Sequence, residues 1–185
     1  MKRILSLILG VVLIFSLVGC GDENVDKNSF ESAKEYVEDV KSEREQKEEK
    51  EKEQFENNKK SISEEVSISD YTLKLKEYSV VDSTILDGEK NIIITFDYTN
   101  TGEYDGQFGA LVGGFGSQPA LKLYQDGIEL KGTASKLWEN HSTVIKPGTT
   151  IEVIYPYQLE NETSDIEVEL KKYDREISTC TIKLK

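Results

Sequence analysis

The sequence has few of the side chains that bind metal ions, transfer protons or cross-link a chain: its 185 residues include one histidine and two cysteines. The histidine, His141, stands in the run WENHSTVI, close to Trp138. A catalytic centre needs a nucleophile, a base and an orienting acid in one place, and this run does not show that they converge. We therefore interpret His141 as a structural loop residue and predict that the protein is not an enzyme.

The sequence also lacks a recognisable metal site. It has no cluster of cysteine and histidine, and its acidic residues do not follow the spacing of a calcium-binding loop. We predict no metal and no cofactor. A weak surface calcium site remains an alternative, formed by Asp82, Asp87 and Glu89 or by Glu103 and Asp105.

Positive charge is scarce as well. Lys and Arg total 23 against 35 Asp and Glu, which gives a formal net charge of −12. A surface this acidic repels nucleic acid and anionic lipid headgroups, so we expect no nucleic-acid partner.

The first residues have the layout of an export signal. Lys2 and Arg3 precede an apolar run from Ile4 to Val18, and Gly19 and Cys20 follow directly, so that the run ends in the sequence LVGC. LVGC in this position resembles the lipobox of bacterial lipoproteins. The resemblance implies cleavage before Cys20, a diacylglycerol on its thiol, and a location on the extracytoplasmic face of the cell membrane. The alternative is an uncleaved transmembrane helix, although the run is shorter than the roughly 20 residues that a span requires.

Once Cys20 carries lipid, Cys180 has no internal disulfide partner. In ISTCTIKLK, Cys180 shares its parity with Ile182 and Leu184. We therefore interpret Cys180 as a small buried hydrophobic residue, with a reactive thiol as the alternative.

We interpret residues 20–60 as a charged tether between the anchor and a domain. Residues 22–60 contain no glycine and no proline, and Phe30, Ala33, Val37 and Val40 recur at helical spacing. From Lys41 onward charged residues dominate, so we expect a solvated, partly helical or disordered spacer. A helix that binds a partner is the alternative.

From residue 61 to 185 the hydrophobic period changes to two. Alternating runs such as YTLKLKEYSV, NIIITFDYTN and DIEVELKKY predict about seven or eight strands. Asp126 and Gly127 predict a tight hairpin, and Pro147 and Gly148 predict a turn before a long strand. Pro156 within that strand indicates an edge position or a bulge. The pattern is typical of an all-β antiparallel sandwich.

Three runs within about residues 65 to 175 resemble a known family: IIITFDYTNTGE, LYQDGIEL and IKPGTTIEVIYPYQLENETSDIEVEL. Their shared elements are a strand that ends in Thr99 and Asn100, the turn from Gln125 to Gly127, and the Pro147 and Gly148 turn. They are similar to uncharacterised Ig-like domains found in lipoproteins of Gram-positive bacteria. The resemblance implies an Ig-like sandwich like that of a mycobacterial secreted antigen, and it transfers no catalytic or binding residue. The glycine-rich segment 103–119 departs from the pattern.

That segment, EYDGQFGALVGGFGSQP, leads into Pro119 and a strand, without the lysine and the helix that a phosphate-binding loop needs. Two interpretations remain open. Its apolar residues pack against the sandwich, or Phe108, Leu111 and Phe115 form a contact tip for a protein or glycan partner.

The sequence thus predicts a lipid-anchored surface protein whose Ig-like domain, without catalysing a reaction, binds an envelope, cell-wall or host partner. The alternative is an accessory or structural subunit of a membrane complex that makes its contact through the charged helix.

Overall fold

The computed structural model of the chain describes residues 27–112, 120–173 and 176–184. The predicted signal peptide, Cys20 and Phe115 lie outside these residues. The chain divides into two units, Met1–Glu43 and Arg44–Lys185. We predicted that the sandwich domain spans residues 61–185; the unit that contains the strands begins at Arg44, within the predicted tether. In the described ranges, no helix is long and apolar enough to cross a membrane.

The predicted all-β antiparallel sandwich is confirmed for the second unit. Its strands of six or more residues match the alternating runs of the sequence, and within the described residues there are seven of them: β1 (Lys60–Ser67), β2 (Tyr71–Asp82), β3 (Lys90–Asn100), β5 (Ala120–Gln125), β8 (Thr150–Gln158), β9 (Ile166–Lys172) and β10 (Glu176–Ile182). The short elements between them are β4 (Gly106–Gln107), β6 (Ile128–Glu129), β7 (Val144–Ile145) and the helix α2 (Phe108–Val112).

Two four-stranded sheets form the sandwich, with strand orders β1-β2-β3-β8 and β10-β9-β5-β6, and every pairing in them is antiparallel. β4 and β7 pair separately. The inward side chains of both sheets form one core, which includes Leu73, Phe96, Leu123 and Val168. Alternation places every second residue on this inner face, so local periodicity is enough to define the core.

The predicted turns are confirmed. Asp126 and Gly127 have φ values of 51° and 78°, as a type I′ hairpin between β5 and β6 requires. Gly148 has φ of 77°, and the amide of Thr149 donates to the carbonyl of Lys146 at 3.1 Å, which closes the Pro-Gly turn. Pro156 lies in β8 at the edge of its sheet, as predicted.

Cys180 lies on the inner face of β10 and is partly rather than fully buried. Burial raises the pKa of its thiol to about 11, and the nearby Glu64 contributes to the rise. A thiol that stays protonated is a poor nucleophile, so the interpretation as a small hydrophobic residue fits this environment.

A long helix, α1 (Lys27–Asn57), precedes the strands. From Arg44 onward it is not the solvated spacer that we predicted. Phe55 is buried against Val81 and Ile93 on the outer face of the first sheet. The side chain of Gln54 accepts a hydrogen bond from the amide of Asp82 at 2.7 Å and donates one to its carboxylate at 2.9 Å. The helical part of the prediction holds, but this part of the helix belongs to the folded unit.

The position of α1 distinguishes the two ends of the sandwich. Arg44 lies beside Thr84 and Ile85 of the β2–β3 loop, and Lys47 contacts Asp87 of the same loop at 2.7 Å. We call this end the helix end, formed by the β2–β3 loop (83–89) and the β8–β9 loop (159–165). The strands β2 and β3 join the helix end to the opposite end, where Tyr71 pairs with Asn100.

Candidate binding cleft

The predicted contact residues do not form an exposed tip. Phe108 and Leu111 are buried in the core, and the Phe108 ring lies 5.4 Å from Phe96, 5.8 Å from Tyr98 and 5.7 Å from Tyr155. A role as exposed contact residues is therefore wrong for these two, because the short helix α2 turns them toward the sheets. The structure favours the packed interpretation for this part of the segment.

A cleft is present at the end of the sandwich opposite the helix end, and we call it the loop cleft. It has a volume of about 690 Å³ and is lined by three connections: Ser69–Tyr71 between β1 and β2, residues 101–105 after β3, and Lys172 with Tyr173 after β9. These connections are far apart in sequence. The antiparallel register of both sheets brings them to the same end.

Asn100 positions the central loop of the cleft. Its buried side-chain amide donates to the carbonyl of Tyr104 at 2.7 Å and to that of Ile145 at 3.2 Å, while its side-chain oxygen accepts from the amide of Gly102 at 3.0 Å. Its backbone also bonds the Pro-Gly turn, through Gly148 and Thr149. The Thr-Asn and Pro-Gly elements noted in the sequence therefore meet here and fix the shape of the loop.

Gly102 permits a close contact between two of the lining loops. Its amide and that of Thr101 both donate to the carbonyl of Asp70, at 2.9 and 2.8 Å. A Cβ atom at Gly102 would lie 3.2 Å from the Cβ of Asp70, which is tighter than an ordinary contact. Glycine at this position therefore lets the two loops approach.

The charges of the cleft are mostly negative. Lys172 contacts Asp70 at 2.6 Å and donates to the hydroxyl of Ser69 at 3.1 Å. The hydrogen bond to Asp70 raises the pKa of Lys172, and the charge of Asp70 adds to the rise. Glu103 and Asp105 are exposed, and neither forms an ion pair with another residue in the part of the chain that the structure describes. The cleft therefore presents two accessible carboxylates beside one that is already neutralised.

Three tyrosines border these carboxylates. Tyr104 is 82% exposed and Tyr173 is 50% exposed. Tyr71 is held from behind by the buried Tyr98, with ring centroids 5.6 Å apart. Exposed aromatic side chains on loops over a rigid scaffold are common in binding sites, because they offer a large contact area at a low cost in conformational entropy.

His141 has a packing environment, as we predicted. Its ring lies 4.7 Å from that of Trp138, which in turn stacks on Tyr155 at 5.5 Å with an angle of 10° between the planes. The carbonyl of His141 accepts a hydrogen bond from Gly109 at 2.6 Å. The histidine thus helps to hold α2 against β8.

The alternative calcium site is not supported on the helix end. Asp82 contacts the ammonium groups of Lys50 and Lys90 at 2.7 and 2.8 Å, so its oxygens are already bound to cations. The hydrogen bonds from Lys50, Lys90 and Gln54 hold its pKa well below the usual range. Among the described residues, no group of three His, Cys, Asp or Glu side chains is placed to hold a metal ion.

Sequence reasoning missed the tyrosines of the cleft and the packed face of the helix. The tyrosines follow or precede strands in separate loops, and no local pattern joins them. The helix gave a detectable signal, since Arg44, Glu48, Glu51 and Phe55 recur at helical spacing. That signal is weak because three of the four are charged.

Glu51 is the least expected residue on that face, with only 2% of its surface exposed. One carboxylate oxygen accepts a hydrogen bond from Ser135 at 3.0 Å, and the other has no hydrogen-bond partner among the described residues. Burial raises the pKa of Glu51, against the opposing effect of the Ser135 hydrogen bond, and the charge of Glu48 raises it further. This carboxyl destabilises the folded state when it is ionised.

Comparison with known proteins identifies a family and a fold. The family model described as "Domain of unknown function (DUF5067)" matches residues 41–172. No curated protein matches the chain.

Solved structures from several bacteria are similar. A candidate lipoprotein from Staphylococcus aureus subsp. aureus NCTC 8325 is 16% identical with a TM-score of 0.52, over 69% of this chain and 92% of that one. A candidate lipoprotein (ycdA) from Bacillus subtilis subsp. subtilis str. 168 is 14% identical with a TM-score of 0.49, over 67% of this chain and 39% of that one. The first likeness supports the fold alone.

Proposed function

Because the chain belongs to the DUF5067 family, whose function is unknown, we propose a function from its own geometry: a lipid-anchored surface protein whose sandwich binds a partner through the loop cleft. The position of the cleft carries this proposal. Arg44, where the folded unit begins, lies at the helix end, whereas the cleft lies at the opposite end. A unit attached through its N-terminal side therefore holds the cleft away from its point of attachment.

The anchor in this proposal is Cys20, and its support is the lipobox-like LVGC after a charged start and an apolar run. The description of the Staphylococcus aureus structure as a candidate lipoprotein agrees with it. Two acyl chains give durable attachment, because each buried methylene contributes about 0.8 kcal/mol. The extracytoplasmic face of the membrane is the location that such an anchor implies.

The anchor is tested by changing Cys20→Ala in the full chain. We expect loss of the acyl mass and release of the protein from the membrane fraction. Unchanged retention, with no acyl mass on the wild-type chain, would reject lipid anchoring and leave the apolar run as the means of attachment.

The cleft is tested by site-specific photocrosslinking on intact cells. A crosslinking amino acid replaces Tyr104 in the cleft or, as a matched control, Glu160 in the β8–β9 loop at the helix end; both side chains are exposed. We expect a discrete adduct from position 104 and none from position 160. Equal labelling from both positions, or none from position 104, would contradict a binding role of the cleft.

The same experiment tests the second candidate function, an accessory subunit that makes its contact through the charged helix. The observation that favours it is the exposure of Tyr36, Val37 and Val40 on α1. A crosslinker at position 37 that forms the discrete adduct, together with a silent position 104, would establish this alternative. The identity of the crosslinked molecule then names the partner class.

A further inference from the structure

We infer that the loop cleft recognises a positively charged segment of a protein, one that presents lysine or arginine side chains, rather than a neutral glycan. This inference rests on the proposed function and specifies its ligand. It follows from the cleft's carboxylates, from its tyrosines, and from an ammonium group of the chain itself that already lies in the cleft.

The carboxylates favour a cation. Glu103 and Asp105 are exposed on the loop that Asn100 holds in place, so their positions are defined by a buried residue while their charges face solvent. The chain carries a net charge of −12, which attracts cationic partners and repels anionic polymers over a distance longer than a hydrogen bond. A neutral sugar would gain nothing from this field.

Lys172 carries an ammonium group of the chain itself that lies against the cleft. Its ammonium group lies against the carboxylate of Asp70 at 2.6 Å and the hydroxyl of Ser69 at 3.1 Å, at one side of the cleft. A ligand ammonium or guanidinium group placed near Glu103 or Asp105 would likewise meet an exposed carboxylate. The volume of about 690 Å³ leaves room for more than one such side chain.

The tyrosines supply the remaining contacts. Tyr104 and Tyr173 line the cleft and are exposed to solvent. Lysine and arginine side chains pack their methylene groups on aromatic rings, and their charged groups are attracted by the negative face of the ring. Aromatic faces beside carboxylates are therefore a suitable surface for these two residue types.

The test uses the mature lipidated chain in neutral detergent micelles and three probes. These are an eight-residue peptide of alternating lysine and glycine, the same peptide with acetylated lysines, and a tetramer of N-acetylglucosamine. We expect the lysine peptide to bind at least about tenfold more tightly than the acetylated peptide, with an affinity that falls as salt is added.

Matched variants separate the cleft from the general charge of the protein. Glu103→Gln with Asp105→Asn removes two charges in the cleft, and Glu160→Gln with Glu162→Gln removes two exposed charges at the helix end. The cleft pair should weaken binding of the lysine peptide about tenfold and the control pair less than about twofold. All four side chains are exposed, so unchanged thermal unfolding should accompany both changes.

Each other outcome overturns the inference. An equal loss of affinity for the lysine peptide in both double variants would show that the peptide is attracted by the general charge of the protein. Failure of the lysine peptide to bind would reject the cationic ligand. Binding of the sugar tetramer that Tyr104→Ala abolishes would make the cleft a glycan site; the proposed function would then survive and this inference would not. If no probe binds and position 104 also fails to crosslink on cells, the proposed function fails as well.

Discussion

The two ends of the sandwich share one kind of internal support but differ in the elements that cover them. Each end has one fully buried side-chain amide that bonds loop backbone. At the cleft end Asn100 bonds Tyr104 and Ile145. At the helix end Gln125 donates to the carbonyls of Asn161 and Ser164 and accepts from the amides of the β8–β9 loop. Asn100 ends the Thr-Asn element and Gln125 begins the turn to Gly127, so both amides belong to motifs visible in the sequence.

The difference lies in what covers each end. At the helix end α1 lies against the β2–β3 loop, and Lys47 and Lys50 bind Asp87 and Asp82. At the cleft end the carboxylates and tyrosines face solvent. The same kind of internal support thus serves an end that α1 partly covers and an end where exposed carboxylates and tyrosines line one cleft.

The largest effect that we expect comes from a substitution in the packed aromatic cluster around Phe108. Phe108→Ala removes a buried ring that contacts three other aromatic rings. We expect the free energy of unfolding to fall by about 4 kcal/mol, from lost burial and the cavity left behind, as measured by urea denaturation. The control Tyr104→Ala, at the exposed rim, should cost less than about 0.5 kcal/mol. A small loss for Phe108→Ala would mean that this segment is not packed.

The packing of α1 at the helix end is tested by Phe55→Ala. Phe55 packs with Val81 and Ile93 in a small cluster of its own, so we expect a loss of about 3 kcal/mol. In the variant, the amides of residues 44–57 should also exchange hydrogen faster than in the wild type, while those of β3 should change less. Val37→Ala on the exposed part of α1 is the control and should leave both measurements unchanged. If Phe55→Ala behaves like this control, the helix is a spacer after all.

The paired amides are tested by Asn100→Ala and Gln125→Ala. Each change removes hydrogen bonds to buried or partly buried backbone groups, so each should lower the free energy of unfolding by about 2 kcal/mol. Only Asn100→Ala should also reduce crosslinking from position 104, because Asn100, unlike Gln125, bonds the loop of residues 101–105. A reduction of equal size in Gln125→Ala would show that the two ends are not independent.

The smallest expected effect concerns Glu51 and depends on pH. Because burial raises the pKa of Glu51 in the folded state, the folded chain keeps this proton to a higher pH than the unfolded chain does. The wild type therefore loses stability as pH rises above about 4.5 and through the folded pKa. Glu51→Gln should be neutral near pH 4 and stabilising by about 1 kcal/mol near pH 8.

Urea denaturation across this pH range measures the effect, and Glu53→Gln, on the exposed face of the same helix, is the control. A pH profile of Glu51→Gln that runs parallel to that of the wild type would mean that Glu51 ionises normally in the folded chain. Glu48, which binds Arg44 and Lys136, is the charged neighbour whose replacement would complicate the measurement.

Much of the fold could be predicted from local sequence. The alternation in NIIITFDYTN defines β3, and the dipeptides Asp126-Gly127 and Pro147-Gly148 define turns, because each depends on side chains or φ values within a few residues. The same reasoning failed for α1 beyond Arg44. Its packed face is mostly charged, and composition alone cannot distinguish a solvated lysine from one that reaches a carboxylate on another strand.

The sequence by itself determined the strands, their turns, the all-β class and the acidic character of the chain, since these follow from short-range periodicity and composition. The tertiary structure alone decided that Phe108 and Leu111 face inward, that Glu51 is buried, and that Asp70, Tyr104 and Lys172 share one cleft. The physical reason is distance along the chain. Asp70 and Lys172 meet only because both sheets fold in a specific register, and no local pattern carries that information.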